Sequence, residues 1–208
     1  MDISRPATSV VPSLDADVLM VLAGTTRPLT GREVSRIARR GSWSGVRRVL
    51  SRLVEHGLVE VQEATPSLLY TLNRDHVAAP AVLALADIRS EFIRRIRDHV
   101  RTWELRPVSV AVFGSMARGD GDVESDVDVF VVRPDQVDGE DVTWRKQVSD
   151  LSDAIARWSG NRASMIEVSV REARGMQDRL EPVVDELARD AVHIAGRPVA
   201  DLLGGSIS

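Results

Sequence analysis

The chain of 208 residues contains no cysteine. That excludes disulfides, thiolate metal sites and cysteine nucleophiles. It has one lysine, Lys146, so its positive charge is almost wholly guanidinium; we read this first as genome composition and second as a functional choice. No apolar run reaches membrane-spanning length, and the first residues lack the basic-then-apolar pattern of an export signal. The expectation is a soluble, cytoplasmic protein with no membrane partner. Repeats and low-complexity tracts are absent too. What remains is an ordinary apolar fraction, 43%, enough for one large core or two small ones.

The net charge of −4 says little, but its distribution says more. From Gly31 to Arg52 there are seven arginines and one acid, whereas from Gly119 to Asp153 there are eleven acids and three basic residues. Such asymmetry suggests two jobs and two domains, with boundaries read here as 1–78 and 79–208.

The acidic region holds the stretch that organises the chain, Val110–Val132. Two β-branched runs, Val108–Phe113 and Val127–Val132, read as buried strands around a loop rich in Gly, Ser and acid. The first strand ends in Gly114-Ser115; the second begins with Ser125-Asp126-Val127-Asp128. Alternation along a strand points Asp126 and Asp128 the same way. Two such carboxylates repel and lose solvation unless a cation joins them. A hard divalent ion, Mg²⁺ or Mn²⁺, suits them, because Mg²⁺ is usually held by a few carboxylates together with substrate phosphates. Gly114 lets the backbone approach an anion. Ser115 opens a short helix, Met116–Arg118, whose start favours phosphate, and Arg118 adds a charge-assisted donor.

Gly114-Ser115, Ala117-Arg118-Gly119 and Ser125-Asp126-Val127-Asp128 together resemble the signature of the nucleotidyltransferase superfamily, the polymerase-β-like fold, in its minimal bacterial form. The resemblance implies a small mixed-sheet α/β (α+β) domain that transfers NMP from an NTP, ATP in the first instance. It puts Gly114, Ser115, Arg118 and Ser125 at the nucleotide and Asp126 and Asp128 at the metal. It also implies a third carboxylate on a later strand. Ala163–Val170 alternates, and Glu167 is its one acid, so Glu167 is the candidate third metal ligand and general base; a salt bridge at the sheet edge is the alternative.

Upstream, Asp15–Gly24 reads as a helix. Thr30 with Glu33 forms a capping box that opens a second helix. Ser42 or Ser44 caps a third, with Val46, Val49, Leu50, Leu53 and Val54 at helical spacing, stopped by Gly57. Leu58–Val61 and Leu68–Leu72 read as a hairpin. Three helices and a hairpin, with Leu53-Val54-Glu55-His56-Gly57-Leu58-Val59, resemble bacterial winged helix-turn-helix regulators. The resemblance implies double-stranded DNA as partner, contacted by Arg39, Arg40, Ser42, Trp43, Ser44, Arg47, Arg48 and Arg52, and a homodimer on a palindromic site. Seven arginines with one acid attract phosphate. Protein docking, a solvated arginine face and Trp43 as a core plug are the alternatives.

Met1–Ser13 is read as a loose terminus and Gly204–Ser208 as a tail. Ala79–Leu105 reads as one long linking helix with Pro80 in its first turn and Leu85, Ile88, Phe92, Ile96, Val100 and Trp103 in a stripe. Val142–Trp158, Glu172–Arg179 and Val183–Arg189 read as helices, and Ala191–Ile194 as an edge strand. Two functions of different class follow. One is a metal-dependent nucleotidyltransferase whose acceptor is a partner protein, as in toxin–antitoxin pairs, an RNA end or a small molecule, with the winged helix giving autoregulation. The other is a DNA-binding transcriptional regulator whose transferase domain senses nucleotide or is inactive.

Overall fold

The computed structural model describes residues 1–2, 5–179 and 181–203, the side chains of Gln177 and Asp178 excepted. The tail expected at Gly204–Ser208 lies outside the described residues. Two compact units emerge, one over Arg5–Arg89 and one over the chain from Ser90 onward together with its first residues. The division therefore falls after Arg89 rather than at 78/79.

In the first unit a 3-10 turn, Pro6–Ser9, buries Ala7, so this part of the chain is packed rather than loose. Helix α1 (Leu14–Ala23) is capped by Ser13. Strand β1 (Leu29–Thr30) leads into α2 (Gly31–Ala38). Thr30 accepts from the Glu33 N–H at 3.2 Å, while the Thr30 N–H donates to Glu33 Oε2 at 2.8 Å. Helix α3 (Trp43–Glu55) is capped by Ser42. Then β2 (Val59–Ala64) and β3 (Ser67–Leu72) form an antiparallel hairpin, and β1 joins the far side of β3, giving the order β1-β3-β2. Val18, Leu22, Val34, Val46, Leu50 and Leu53 make the core between helices and sheet.

The expected long helix is two helices, α4 (Ala79–Ala86) and α5 (Ile88–Arg101), interrupted at Asp87. Val82 of α4 packs in the core of the first unit. Phe92, Ile96 and Val100 of α5 pack in that of the second. Each helix answers to its own core.

The second unit is built on a four-stranded sheet, ordered β6 (Ala163–Ser169), β5 (Val127–Arg133), β4 (Ser109–Phe113), β7 (Val192–Gly196). Strands β4/β5 and β4/β7 are antiparallel and β5/β6 parallel. The central strands bury both faces, as their apolar runs require. Val110, Val112, Val129 and Val131 face α5 and α7 (Val142–Ser159) with Trp144 and Ile155. Ala111, Phe113, Phe130 and Val132 face α8 (Val170–Asp178), α9 (Pro182–Asp190) and α10 (Val199–Leu202). Each fully buried valine is worth about 1.5–3 kcal/mol relative to exposure, so this sheet is a stiff base for whatever its ends carry. Among the described residues no helix is long and apolar enough to cross a membrane.

Candidate functional site

Strand β4 runs straight into a five-residue helix, α6 (Gly114–Arg118). Gly114 makes the corner at φ +69°, where a side chain is strained. A Cβ there would collide with Asp128 Oδ2 and lie 3.4 Å from Asp128 Cγ. The carboxylate of β5 thus fills the space that glycine leaves, as the antiparallel register Phe113↔Asp128 dictates. The loop after α6 returns just as closely. A Cβ on Gly121 would sit 2.9 Å from Ser115 Oγ and 3.3 Å from Ser125 Cβ. Gly114, Ser115, Ser125 and Asp128 therefore converge at one end of β4 and β5. Asp126 stands exposed just before β5, and Asp128 is half-buried near its start.

Burial pushes the Asp128 carboxyl above its ordinary value; the charges of Asp126 and Glu186 push the same way, while a Ser164 hydrogen bond and the Arg118 charge oppose. Arg118 acts on Asp128 by its charge alone, because its bonds go to other carboxylates. Its Nε lies 3.0 Å from Asp120 Oδ2 and its Nη1 2.9 Å from Asp190 Oδ2. Asp190 ends α9 with its side chain only 8% exposed. Arg189 first, then Arg118, hold its carboxyl below the usual range.

Glu167 does not join the aspartates. The parallel register pairs Asp128 with Ser164 and Val131 with Glu167. Asp128 thus shares its face with Ser164, Ile166 and Val168, and Glu167 points to the opposite face with Val131. There its Oε1 lies 3.1 Å from Arg133 Nε, which is the sheet-edge salt bridge rather than a metal ligand's position. Among the described residues, no three His, Asp or Glu side chains come together as a metal-holding group. The Asp126 charge acts on Asp128, and two carboxylates completed by phosphate oxygens are a donor set that Mg²⁺ accepts.

Several neighbours of the site carried no signal in the sequence. Ser164 was one residue of a strand, Glu186 and Asp190 two acids of a polar helix face, and Asn161 part of a turn. Only the fold brings them to the acid pair or to its loop.

In the first unit the arginines divide into two sets. Arg40 pairs with Asp17 at 3.8 Å, and Arg52 pairs with Asp15, both partners on α1. Arg32, Arg36, Arg39, Arg47 and Arg48 are exposed and have no ion pair among the described residues. Arg39 takes a left-handed conformation, φ 53°, at the end of α2. Ser42 is occupied as cap, accepting the Gly45 N–H at 3.1 Å and lying 2.9 Å from Ser44 Oγ. Trp43 is 47% exposed, so it is no core plug. Its ring lies on Gly31, where a Cβ would be 2.8 Å from Cη2. It stands between two hollows. One, of about 340 Å³, is lined by Ser44, Arg47, Arg48 and Ser51 besides Trp43. The other, of about 520 Å³, runs to the hairpin and includes Arg32, Arg47, Leu68 and Tyr70.

Residues 93–187 match the family model described as a nucleotidyltransferase domain. The matched segment starts within α5, contains the whole Gly114–Asp128 corner and ends in α9. It supports the nucleotidyltransferase superfamily for this part of the chain, and with it a transferase that takes a nucleotide substrate. The match spans less than half of the chain and leaves the arginine-rich unit untouched. No curated protein and no solved structure matches the chain.

Proposed function

We propose that the second unit transfers a nucleoside monophosphate from a nucleoside triphosphate, ATP in the first instance, to a hydroxyl on a partner protein or nucleic acid. The observation that carries this is the seating of Asp128 in the space vacated by Gly114, with Ser115 and Ser125 beside it. Asp126 and Asp128 would hold a divalent cation, Mg²⁺ or Mn²⁺, together with phosphate oxygens of the substrate. When bound, such an ion neutralises charge at the reacting phosphate and on departing pyrophosphate. The chain's own groups do the rest. Gly114 lets the Asp128 carboxylate sit against the backbone at the phosphate-binding corner. The Ser115 hydroxyl donates to a non-bridging oxygen. Arg118 exchanges one of its carboxylates for the pyrophosphate. The acceptor hydroxyl oxygen bonds to the α-phosphorus and gives up its proton to solvent as the bond from that phosphorus to pyrophosphate breaks. The test is pyrophosphate release and labelling with Mg²⁺ and labelled triphosphates. Asp126→Ala combined with Asp128→Ala should reduce both to background while the protein stays folded; undiminished release in that double variant overturns the mechanism.

One observation favours a second reading, in which the unit binds nucleotide without turning it over. Glu167 stands on the opposite face, and among the described residues no third carboxylate completes a metal-holding group with the aspartates. Nucleotide binding with no pyrophosphate release from the wild-type chain would establish it.

For the first unit we propose a winged helix that contacts double-stranded DNA with the exposed side of α3. Trp43, Ser44, Arg47 and Arg48 face the duplex, and Arg32 and Arg39 extend the basic surface. Its support is the set of guanidiniums with no ion pair among the described residues around an exposed indole.

A further inference from the structure

We propose that Asn161 is a positioning residue for Asp126, acting through the loop that precedes it. This rests on the transferase reading of the site. Asn161 is 3% exposed. Its Nδ2 faces three backbone carbonyls of one loop: Ser125 at 2.9 Å, Asp122 at 3.4 Å and Val123 at 3.5 Å. Carbonyls only accept, so a single amide group gathers the oxygens of the whole Asp122–Ser125 turn. Asn161 is itself anchored. Its N–H donates to Ser159 Oγ at 3.1 Å, and that hydroxyl donates to the Ile155 carbonyl at 2.8 Å, fixing the turn to the end of α7. The next residue holds the other side of the aspartate. The Val127 N–H donates to the Arg162 carbonyl at 2.8 Å.

Asp126 therefore hangs between two attachments to the 160–162 turn. Asp128 does not depend on them, because its place is set by the ladder between Phe113 and Ser164. The loop's internal bonds, Ser125 Oγ to Asp122 Oδ1 at 2.9 Å and the Asp122 N–H to Ser125 Oγ at 2.9 Å, shape the turn without tying it to the sheet. Removing the Asn161 amide keeps the internal bonds of the turn but frees it to shift, and also removes the 2.7 Å bond from the Met1 ammonium to Asn161 Oδ1, leaving that ammonium its bond to the Ser159 carbonyl. One of the two aspartates then loses its place and the other keeps it. Side chains that orient a metal ligand from behind typically matter by about 10–100-fold in metal affinity.

The experiment uses the full chain and compares wild type with Asn161→Ala and Asp126→Ala. Mn²⁺ is titrated in the presence of a non-hydrolysable triphosphate, and amide exchange is followed over residues 122–127. Asn161→Ala should keep its fold, lose about tenfold or more in Mn²⁺ affinity, and exchange faster across the loop. Its kcat should fall with KM for the triphosphate unchanged, and excess Mn²⁺ should restore turnover to it and not to Asp126→Ala. Mn²⁺ affinity and loop exchange equal to wild type would overturn the proposal. If the alanine variant does not fold, Asn161→Ser makes the same comparison. A wild-type chain that binds no Mn²⁺ and releases no pyrophosphate overturns the transferase reading instead, and loop exchange still decides for or against Asn161.

Discussion

Two arginines of the second unit and two of the first sit in opposite surroundings. In the second, Arg118 and Arg133 are each enclosed by carboxylates: Asp120 and Asp190 for one, Glu167 and Glu172 for the other. In the first, Arg47 and Arg48 beside Trp43 have no ion pair among the described residues, while Arg40 and Arg52, from the same basic segment, are paired with acids of α1. Counting charges along a sequence measures supply. What a surface can offer a phosphate is the remainder after internal pairing, and pairing is a property of the fold.

The sharpest way to break this comparison lies in the acid-rich unit. Asp128 is a half-buried carboxylate whose charged form is disfavoured by burial and by the charges of Asp126 and Glu186, and the proposed function gives that charge a use. Asp128→Asn should abolish pyrophosphate release and at the same time raise Tm at neutral pH. The sign follows from its pKa. A carboxyl raised in the folded state favours folding while protonated, and that contribution is lost as pH rises through the folded value. The gain from the amide should therefore shrink as pH falls toward the ordinary aspartate range. Calorimetry at pH 7 and pH 4 checks it; a lower Tm at pH 7 would mean that Asp128 is compensated after all.

The next effect concerns the free arginines. Arg47→Ala combined with Arg48→Ala should weaken duplex binding and flatten the dependence of log K on log salt by about two, roughly one for each phosphate no longer neutralised. Arg52→Ala removes an equal charge already engaged by Asp15, and should leave that slope unchanged. Titrations of a labelled duplex over a salt series measure both. Equal slopes for the paired and unpaired sites would dissolve the distinction.

Smaller again is the effect at Arg118. Asp190 engages the guanidinium that the proposed function gives to a phosphate. Asp190→Asn should lower KM for the triphosphate by about two- to fivefold, the scale of an accessible ion pair, with kcat little changed. A raised KM would instead make Asp190 the group that orients Arg118.

The site was legible where its parts lie close together in the chain. Gly114-Ser115 and Asp126-Val127-Asp128 are joined by one loop, and the antiparallel pairing of their strands follows from that short connection. Glu167 was not legible for the opposite reason. Alternation sorted Ile166 and Val168 from Glu167, yet it could not say which set shares a face with Asp128. That is fixed by the parallel register across α7, Asp128 on Ser164, and a one-residue slip reverses it. The break at Asp87 was hidden similarly. The apolar stripe runs through it unbroken, and only the separate cores claimed by Val82 and Phe92 reveal two helices. Thr30 and Glu33 needed no such distant information, since both halves of a capping box lie within four residues.

That local pair gives the finest test of how charge is used in the basic unit. Glu33 is held down to about 2, by the Thr30 N–H first, then the Thr30 hydroxyl and Arg27. A carboxyl lowered in the folded state stabilises above its ordinary value, and the contribution is lost as pH falls through the folded one. Glu33→Gln should therefore lower the Tm of the first unit at pH 7, and the difference should close between the ordinary value of 4.5 and about 2. Salt should close it only in part, because the Arg27 pair is exposed and screened whereas the bonds to Thr30 are local. A gap that persisted undiminished at the acid end would assign the capping box to shape and hydrogen bonding alone, and would leave the one acid of the arginine-rich segment with no electrostatic part in holding α2.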